Sequence, residues 1–262
     1  MFFSAILGII QGITEFLPVS SSAHLIFVSW LMEGKPLPLA VNTALHFGTL
    51  IAVLIYFWRD WLALINGSVA TVFKGQKNFE GTTLLPALLL GSVPAGFVGI
   101  LAKDQIEDIF HNPLSITLPL ACVGFLLWFI DKRSSGSLSM QEMNVKMGIY
   151  IGFAQACALI PGVSRSGATI SASRALGLSR DASARFSFLL GTPAMGGAAL
   201  LHYKDFIASL GDPSFYIGII TSCVVGCLAI RFFLKFISRF GFLAFAIYRA
   251  SLALLILIIY LY

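Results

Sequence analysis

Residues 11–24 read Gln11-Gly-Ile-Thr14-Glu15-Phe-Leu-Pro18-Val-Ser20-Ser21-Ser22-Ala-His24, and this stretch decides the fold. It lies in an apolar chain, yet carries a carboxylate, an amide, four hydroxyls and an imidazole. Polar groups at membrane depth are expensive and persist where they line a cavity or do chemistry. Pro18 has no N–H and clashes with the preceding turn, so it breaks the helix that Gln11 and Glu15 share. Backbone freed in this way must be buried in protein or line a cavity. The expectation is a helix, a break and a second helix, with the polar groups gathered at the break.

A second stretch answers the first. Gln155 precedes Leu159-Ile-Pro161-Gly162-Val-Ser164-Arg165-Ser166-Gly167-Ala-Thr169. Shifted by 144 residues, Gly8 falls on Gly152, Gln11 on Gln155, Val19 on Val163, Ser20 on Ser164, Ser21 on Arg165 and Ser22 on Ser166. Gly48-Thr49 and Asp60 match Gly191-Thr192 and Asp205 with a drift of one residue. Such a weak internal repeat marks two structurally related halves.

The 262 residues are 58% hydrophobic and 11% charged, with mean hydropathy +0.90, against about 25% charged for an ordinary soluble domain. The chain reads as an all-α polytopic membrane protein, a single membrane domain over 1–262. Met1-Phe2-Phe3 lacks the basic start of a secretory signal. The net charge of +5 is spread according to topology and gives no nucleic-acid signal. Cys122, Cys157, Cys223 and Cys227 lie in apolar segments without CxxC spacing, and read as small buried packing residues.

A span needs about 20 apolar residues. Segments 2–17 and 20–32 are too short and read as a re-entrant hairpin. Spans are expected at 39–58, 84–102 and 113–130, with a mostly polar, partly interfacial loop at 61–82 holding Lys74, Lys77 and Glu80. The charged segment 131–146 separates the halves, approximately 1–131 and 146–262. Segments 147–160 and 165–177 form the second hairpin, and spans at 184–202, 214–231 and 241–261 complete the chain. Pro193 should kink the first of these, and Gly191, Gly196 and Gly197 should allow close helix contact. One hairpin and three spans per half imply two inverted-topology repeats whose hairpin tips meet near the midplane. Of the 17 Lys and Arg residues, 12 then fall on one side and Lys35, Lys103 and Lys204 on the other, with Arg165 and Arg249 inside apolar segments. The basic side is cytoplasmic. Both termini, the mouth of the first hairpin and the acidic group Asp104, Glu107 and Asp108 are therefore expected outside.

Gln11 and Glu15 share a helix face at i, i+4, and Ser21 and His24 share one at i, i+3. Two helix N-termini and Arg165 converging on one point make an anion site, with phosphate the natural ligand. A serine, a histidine and a glutamate beside it supply a nucleophile and a proton shuttle. Plainer roles compete. Ser20 reads as a helix cap, His46 as a hydrogen-bonded packing residue, and Arg165 has a structural ion pair with Glu15 as its alternative. Arg249 is given no function, and His111 and His202 lie near membrane ends.

At these residues the chain resembles the bacterial undecaprenyl-diphosphate phosphatases of the bacitracin-resistance type. The motif Glu/Gln-Gly-x-x-Glu-Phe-x-Pro-x-Ser-Ser is met by Gln11 through Ser21, with His24 at the expected offset. Pro-Gly-x-Ser-Arg-Ser-Gly-x-Thr is met by Pro161 through Thr169. The resemblance implies hydrolysis of undecaprenyl diphosphate to undecaprenyl phosphate and inorganic phosphate. That reaction recycles the lipid carrier for peptidoglycan and underlies bacitracin resistance. Carried over, Arg165 clamps the diphosphate, while Ser164, Ser166 and Thr169 donate to it, with Gln11, Ser20 and Gly167 also lining the substrate site. Ser21 or His24 attacks phosphorus and Glu15 orients or deprotonates its partner; Ser21 is the preferred nucleophile, with His24 as acid/base. Many members carry Glu where this chain has Gln11, which argues against an obligatory two-carboxylate mechanism and against a metal held by two carboxylates. No metal ligand is assigned; a divalent cation, Mg or Ca, is the only cofactor kept in view. The expected partners are the diphosphate lipid and membrane lipids, with a homodimer as the candidate assembly and no nucleic acid. The expected location is the bacterial inner membrane, with the active site open to the periplasmic or extracellular side. A lipid-phosphate flippase on the same inverted-repeat architecture is the alternative. A lipid phosphatase of the acid-phosphatase superfamily ranks lower, since its His-x-x-x-Asp motif is absent.

Overall fold

The structure is a computed structural model that describes residues 1–74, 83–102 and 113–261, without the side chains of 70–74, 113 and 205. The expectations for Lys77, Glu80, Lys103, Asp104, Glu107, Asp108 and His111, and for the side chains of Lys74 and Asp205, lie outside the described residues. The described residues are helical apart from connections and one isolated β-bridge between Leu138 and Leu178.

In the first half, α1 spans Phe2–Thr14 and α2 Ser21–Glu33, on either side of the Pro18 break. They are followed by α3 Leu39–Tyr56, α4 Trp58–Lys74, α5 Leu84–Leu101, a 3-10 turn Pro113–Ile116 and α6 Thr117–Arg133. In the second half, α7 Val145–Cys157 and α8 Arg165–Ala175 flank the Pro161-Gly162 break. Then come α9 Arg180–Leu201, the short α10 Tyr203–Ala208, α11 Pro213–Ile237 and α12 Leu243–Leu261.

Four expectations need correction. Residues 61–74 of the expected 61–82 loop are not a loop but belong to α4. Trp58, Leu62, Ile65 and Val69 recur at helical spacing and are each about half exposed, the pattern of an amphipathic helix lying at a membrane interface. Among the described residues five helices, not six, are long and apolar enough to cross a membrane: Leu39–Tyr56, Leu84–Leu101, Leu114–Arg133, Pro213–Ile237 and Leu243–Leu261. The sixth expected span, α9, is 22 residues long, about 33 Å of helix. Its Ser183 and Ser187 are fully buried in the protein rather than facing lipid, which is why its composition is less apolar. Helix α9 contains Pro193, and its Gly196 and Gly197 face open space rather than a neighbouring helix. Cys122 and Cys157 are exposed, and all four thiols are free; a thiol is apolar enough to face acyl chains.

The two halves interlock. Helix α1 packs on α11, and α7 packs on α5. These pairings match by the order of the helices in each half, each joining the first helix of one half to a span of the other. Gly8 and Gly152 make both close approaches: a Cβ at Gly8 would lie 1.8 Å from Thr221 Oγ1, and one at Gly152 2.0 Å from Gly91 O. The aromatic core gathers on Phe188, whose ring meets Phe16 edge-on at 5.4 Å, Phe233 at 5.7 Å and Phe57 at 6.3 Å. Phe16 is fully buried and anchors the break immediately beside Glu15.

Candidate active site

The breaks themselves are built alike. Ser20 has φ 73° and Ser164 φ 74°, the only non-glycine residues in the left-handed region among the described residues. Such a backbone costs on the order of 1–3 kcal/mol unless its surroundings enforce it. Each serine caps the helix it precedes: Ser20 Oγ accepts from Ala23 N–H and Ser164 Oγ from Gly167 N–H. Each also lies 3.2 Å from the second hydroxyl along, Ser22 or Ser166.

Arg249 of α12 ties the breaks together. It is completely buried and has no carboxylate partner among the described residues. Instead it donates to main-chain carbonyls: Nη1 to Pro18 O (3.0 Å), Nη2 to Gly162 O and Val163 O (3.0 Å each), and Nε to Leu120 O (2.8 Å). The carbonyls that the helix breaks orphaned are thereby satisfied by one fixed guanidinium. Ser166 Oγ adds a bond to Leu17 O across the breaks.

With the breaks joined, Glu15 sits between them. It is 6% exposed. Ser21 Oγ donates to its Oε2 at 2.8 Å, and Arg165 Nη2 donates to its Oε1 at 2.9 Å. Arg165 Nη1 donates to Ser187 O, while its Nε finds no partner among the described residues. Room for the guanidinium comes from Gly191, where a Cβ would fall 2.0 Å from Nη1. Gln11 Nε2 lies 3.0 Å from Glu15 Oε2 and 3.0 Å from His46 Nδ1. The carboxylate can only accept, so the amide nitrogen must face it. His46 Nδ1 then accepts as well, which places the ring proton on Nε2.

These groups line a cavity of about 340 Å³, within the range of small-molecule sites. Glu15, Ser21, His46, Ser164 and Arg165 form its floor, so the first residues of both α2 and α8 face it. Its walls are the start of α3 (Leu39, Asn42, Thr43), the end of α5 (Ala95, Gly99) and the end of α9 (Met195, Ala198, Leu201).

The structure thus brings Gln11, Glu15, Ser21, Ser164 and Arg165 to one place, and Arg165 pairs directly with Glu15. It turns His24 elsewhere: Nδ1 bonds Ser20 O at 2.7 Å, and Nε2 bonds Tyr248 OH at 2.7 Å, with the two rings stacked. Ser20 is a fully buried cap. Thr169 Oγ1 bonds Arg165 O and Ser187 Oγ, Ser166 bonds Leu17 O, and Gly167 contributes its capped N–H. These three support the second break from behind. His46, read from sequence as packing, is the group that stands beside Glu15. The signal for it is the polar face Asn42, His46, Thr49 at helical spacing in an otherwise apolar span. Among the described residues no three His, Cys, Asp or Glu side chains gather as metal ligands. Both oxygens of Glu15 accept hydrogen bonds, from Ser21 and Arg165.

Away from the cavity, Asp131 at the end of α6 binds Arg174 at 2.9 Å and Arg180 at 2.8 Å, and Arg185 binds Asp60 at 2.6 Å. These pairs tie the ends of α6 and α8 and the start of α4 to the start of α9, the end of α9 opposite the cavity wall.

The family model described as bacitracin resistance protein BacA matches residues 4–255. An undecaprenyl-diphosphatase of Thermomicrobium roseum is 41% identical over 269 residues, covering 98% of this chain and 96% of its own. Those of Moorella thermoacetica (41% over 255 residues; 97% and 96% covered) and Desulforudis audaxviator (42% over 254; 97% and 95%) are similarly close. A match of this extent, with the motif residues of both breaks at one cavity, means that the chain belongs to the bacitracin resistance protein BacA family.

Proposed function

We propose that the chain is a membrane phosphatase that hydrolyses the phosphoanhydride of undecaprenyl diphosphate, returning undecaprenyl phosphate to envelope synthesis. The observation that carries this is the Ser21–Glu15–Arg165 contact across two helix breaks at the floor of one cavity. A flippase needs no serine held on a carboxylate. Ser21 Oγ attacks the terminal phosphorus as its proton passes to Glu15 Oε2. The P–O bond to the bridging oxygen breaks, and undecaprenyl phosphate leaves with the proton from Glu15. Water then attacks the phosphoserine, gives its proton to Glu15 and releases inorganic phosphate. Glu15 returns that proton to Ser21. Arg165 and the free N–H groups opening α2 and α8 offset the charge on the transferring phosphoryl group. His46, joined to Glu15 through Gln11, offers a second proton-carrying group beside the carboxylate. No step is assigned to a divalent cation.

The two short hairpins are read as re-entrant elements of inverted repeats, supported by the matched α1–α11 and α7–α5 packing. Hydrolysis is assigned to the periplasmic or extracellular face. The cavity walls are the helix ends remote from Lys132, Arg133, Arg174, Arg180 and Arg185, the basic and hence cytoplasmic end. Two experiments test the reading. Purified chain in detergent should release inorganic phosphate from undecaprenyl diphosphate; a pure flippase releases none. A single cysteine at Ala198, in a background without the four native thiols, should react in intact cells with an impermeant thiol reagent and be protected by substrate. Reaction only after the cytoplasmic face is opened would reverse the topology.

A further inference from the structure

Gln155 is 3% exposed and lines the cavity, and neither its Nε2 nor its Oε1 has a partner among the described residues. A buried amide left unpaired costs about 1–3 kcal/mol, and the cavity it lines can supply a ligand as its partner. The internal repeat shows why it is unpaired. Its counterpart Gln11 spends its amide nitrogen on Glu15 and His46. Under the same shift, Glu15 corresponds to Leu159 and His46 to Leu189 or Leu190. The second half keeps the amide and has leucine where the groups that occupy it would stand. The amide is held in place: α7 is pressed against the α5 backbone at Gly152, one turn before Gln155, where a Cβ has no room. Gln155 therefore faces a cavity whose floor already carries Arg165 and the starts of two helices, all suited to an anion.

We infer that Gln155 is a substrate-binding residue whose amide nitrogen donates to a nonbridging oxygen of the lipid diphosphate, placing the headgroup opposite Ser21. The inference deepens the phosphatase reading and rests on it. An amide also accepts, so Oε1 can take the hydroxyl of a monoprotonated phosphate, a form well populated near neutral pH because the second phosphate pKa is about 6.

The test measures binding without turnover. In a Ser21→Ala background, the affinity for farnesyl diphosphate, with farnesol as control, is compared before and after Gln155→Leu and Gln155→Met. Removing an unpaired buried amide should leave the ligand-free melting temperature unchanged or raised. The dissociation constant for farnesyl diphosphate should rise on the order of tenfold, as for loss of one charge-assisted hydrogen bond, and that for farnesol should not move. Unchanged diphosphate affinity in both variants overturns the inference and leaves the phosphatase reading standing. A sharp loss of ligand-free stability in both also overturns it, since the amide would then have an internal partner. Failure of the parent to bind farnesyl diphosphate at all overturns the phosphatase reading, and this inference with it.

Discussion

At the first break Ser20 holds φ 73°, caps Ala23 N–H and touches Ser22; at the second Ser164 holds φ 74°, caps Gly167 N–H and touches Ser166. Around this common backbone the side chains part company. Ser21 is matched by Arg165, Glu15 by Leu159 and His24 by Ala168. The first break holds the hydroxyl and the carboxylate, whereas the second holds the guanidinium that pairs with that carboxylate. A repeated scaffold thus becomes an active site through substitutions at a few corresponding positions. The acid and the guanidinium, costly to bury singly, are buried together because each half supplies what the other lacks.

Substitutions at seven positions probe that division. Arg249→Leu should have the largest effect, because the carbonyls of Pro18, Gly162 and Val163 at the two breaks lose their donor. At about 1–3 kcal/mol for each unsatisfied buried group, thermal unfolding should show a protein that folds poorly or melts far below wild type. Ser21→Ala, Glu15→Gln and Arg165→Ala should each lower phosphate release by on the order of 10²-fold or more; Ser21→Ala should melt near wild type, whereas Arg165→Ala, which leaves Glu15 buried without its partner, should also lower the melting temperature. Arg165→Lys should recover little, since an ammonium cannot contact Glu15, Ser187 and phosphate in one plane. Gly191→Ala should cost about 10- to 100-fold in kcat/KM by pushing the guanidinium aside, a displacement of the kind that misplaces a reacting group. The corresponding Gly48→Ala should instead lower the melting temperature, because its Cβ would meet the Ile219 carbonyl of α11 at 2.4 Å. His24→Ala should have the smallest effect, about tenfold or less, by loosening the Ser20 carbonyl that sets the start of α2. Its pH–rate profile should keep the wild-type shape, and His24→Asn should recover part of the rate. A lost limb in that profile would return His24 to proton transfer.

The sequence made some of this legible and hid the rest for definite reasons. Both breaks could be read because Pro18 and Pro161-Gly162 interrupt apolar runs. Glu15, Ser21 and Arg165 stood out because burial of such groups is costly. The interfacial helix α4 was obscured by Arg59, Asp60, Asn66 and Ser68, interleaved with its apolar stripe. The histidines were harder. Residues three apart on a helix point about 60° apart, and nothing local shows that α12 brings Tyr248 to one of those directions. His24 turns to that hydroxyl, while His46 reaches Glu15 from a different helix. The targets of Arg249 were beyond local reading altogether, since Pro18 lies 231 residues away.

A double-mutant cycle tests most directly whether the two breaks act as one site. Phosphate release from undecaprenyl diphosphate would be measured for purified wild type, Glu15→Gln, Arg165→Ala and the double variant, with melting temperatures confirming that each is folded. If Glu15 and Arg165 serve one reacting phosphoryl group, the double variant should be about as slow as the slower single variant, far from the product of the two losses. Losses that multiply would mean that the two breaks act independently, and would contradict the account.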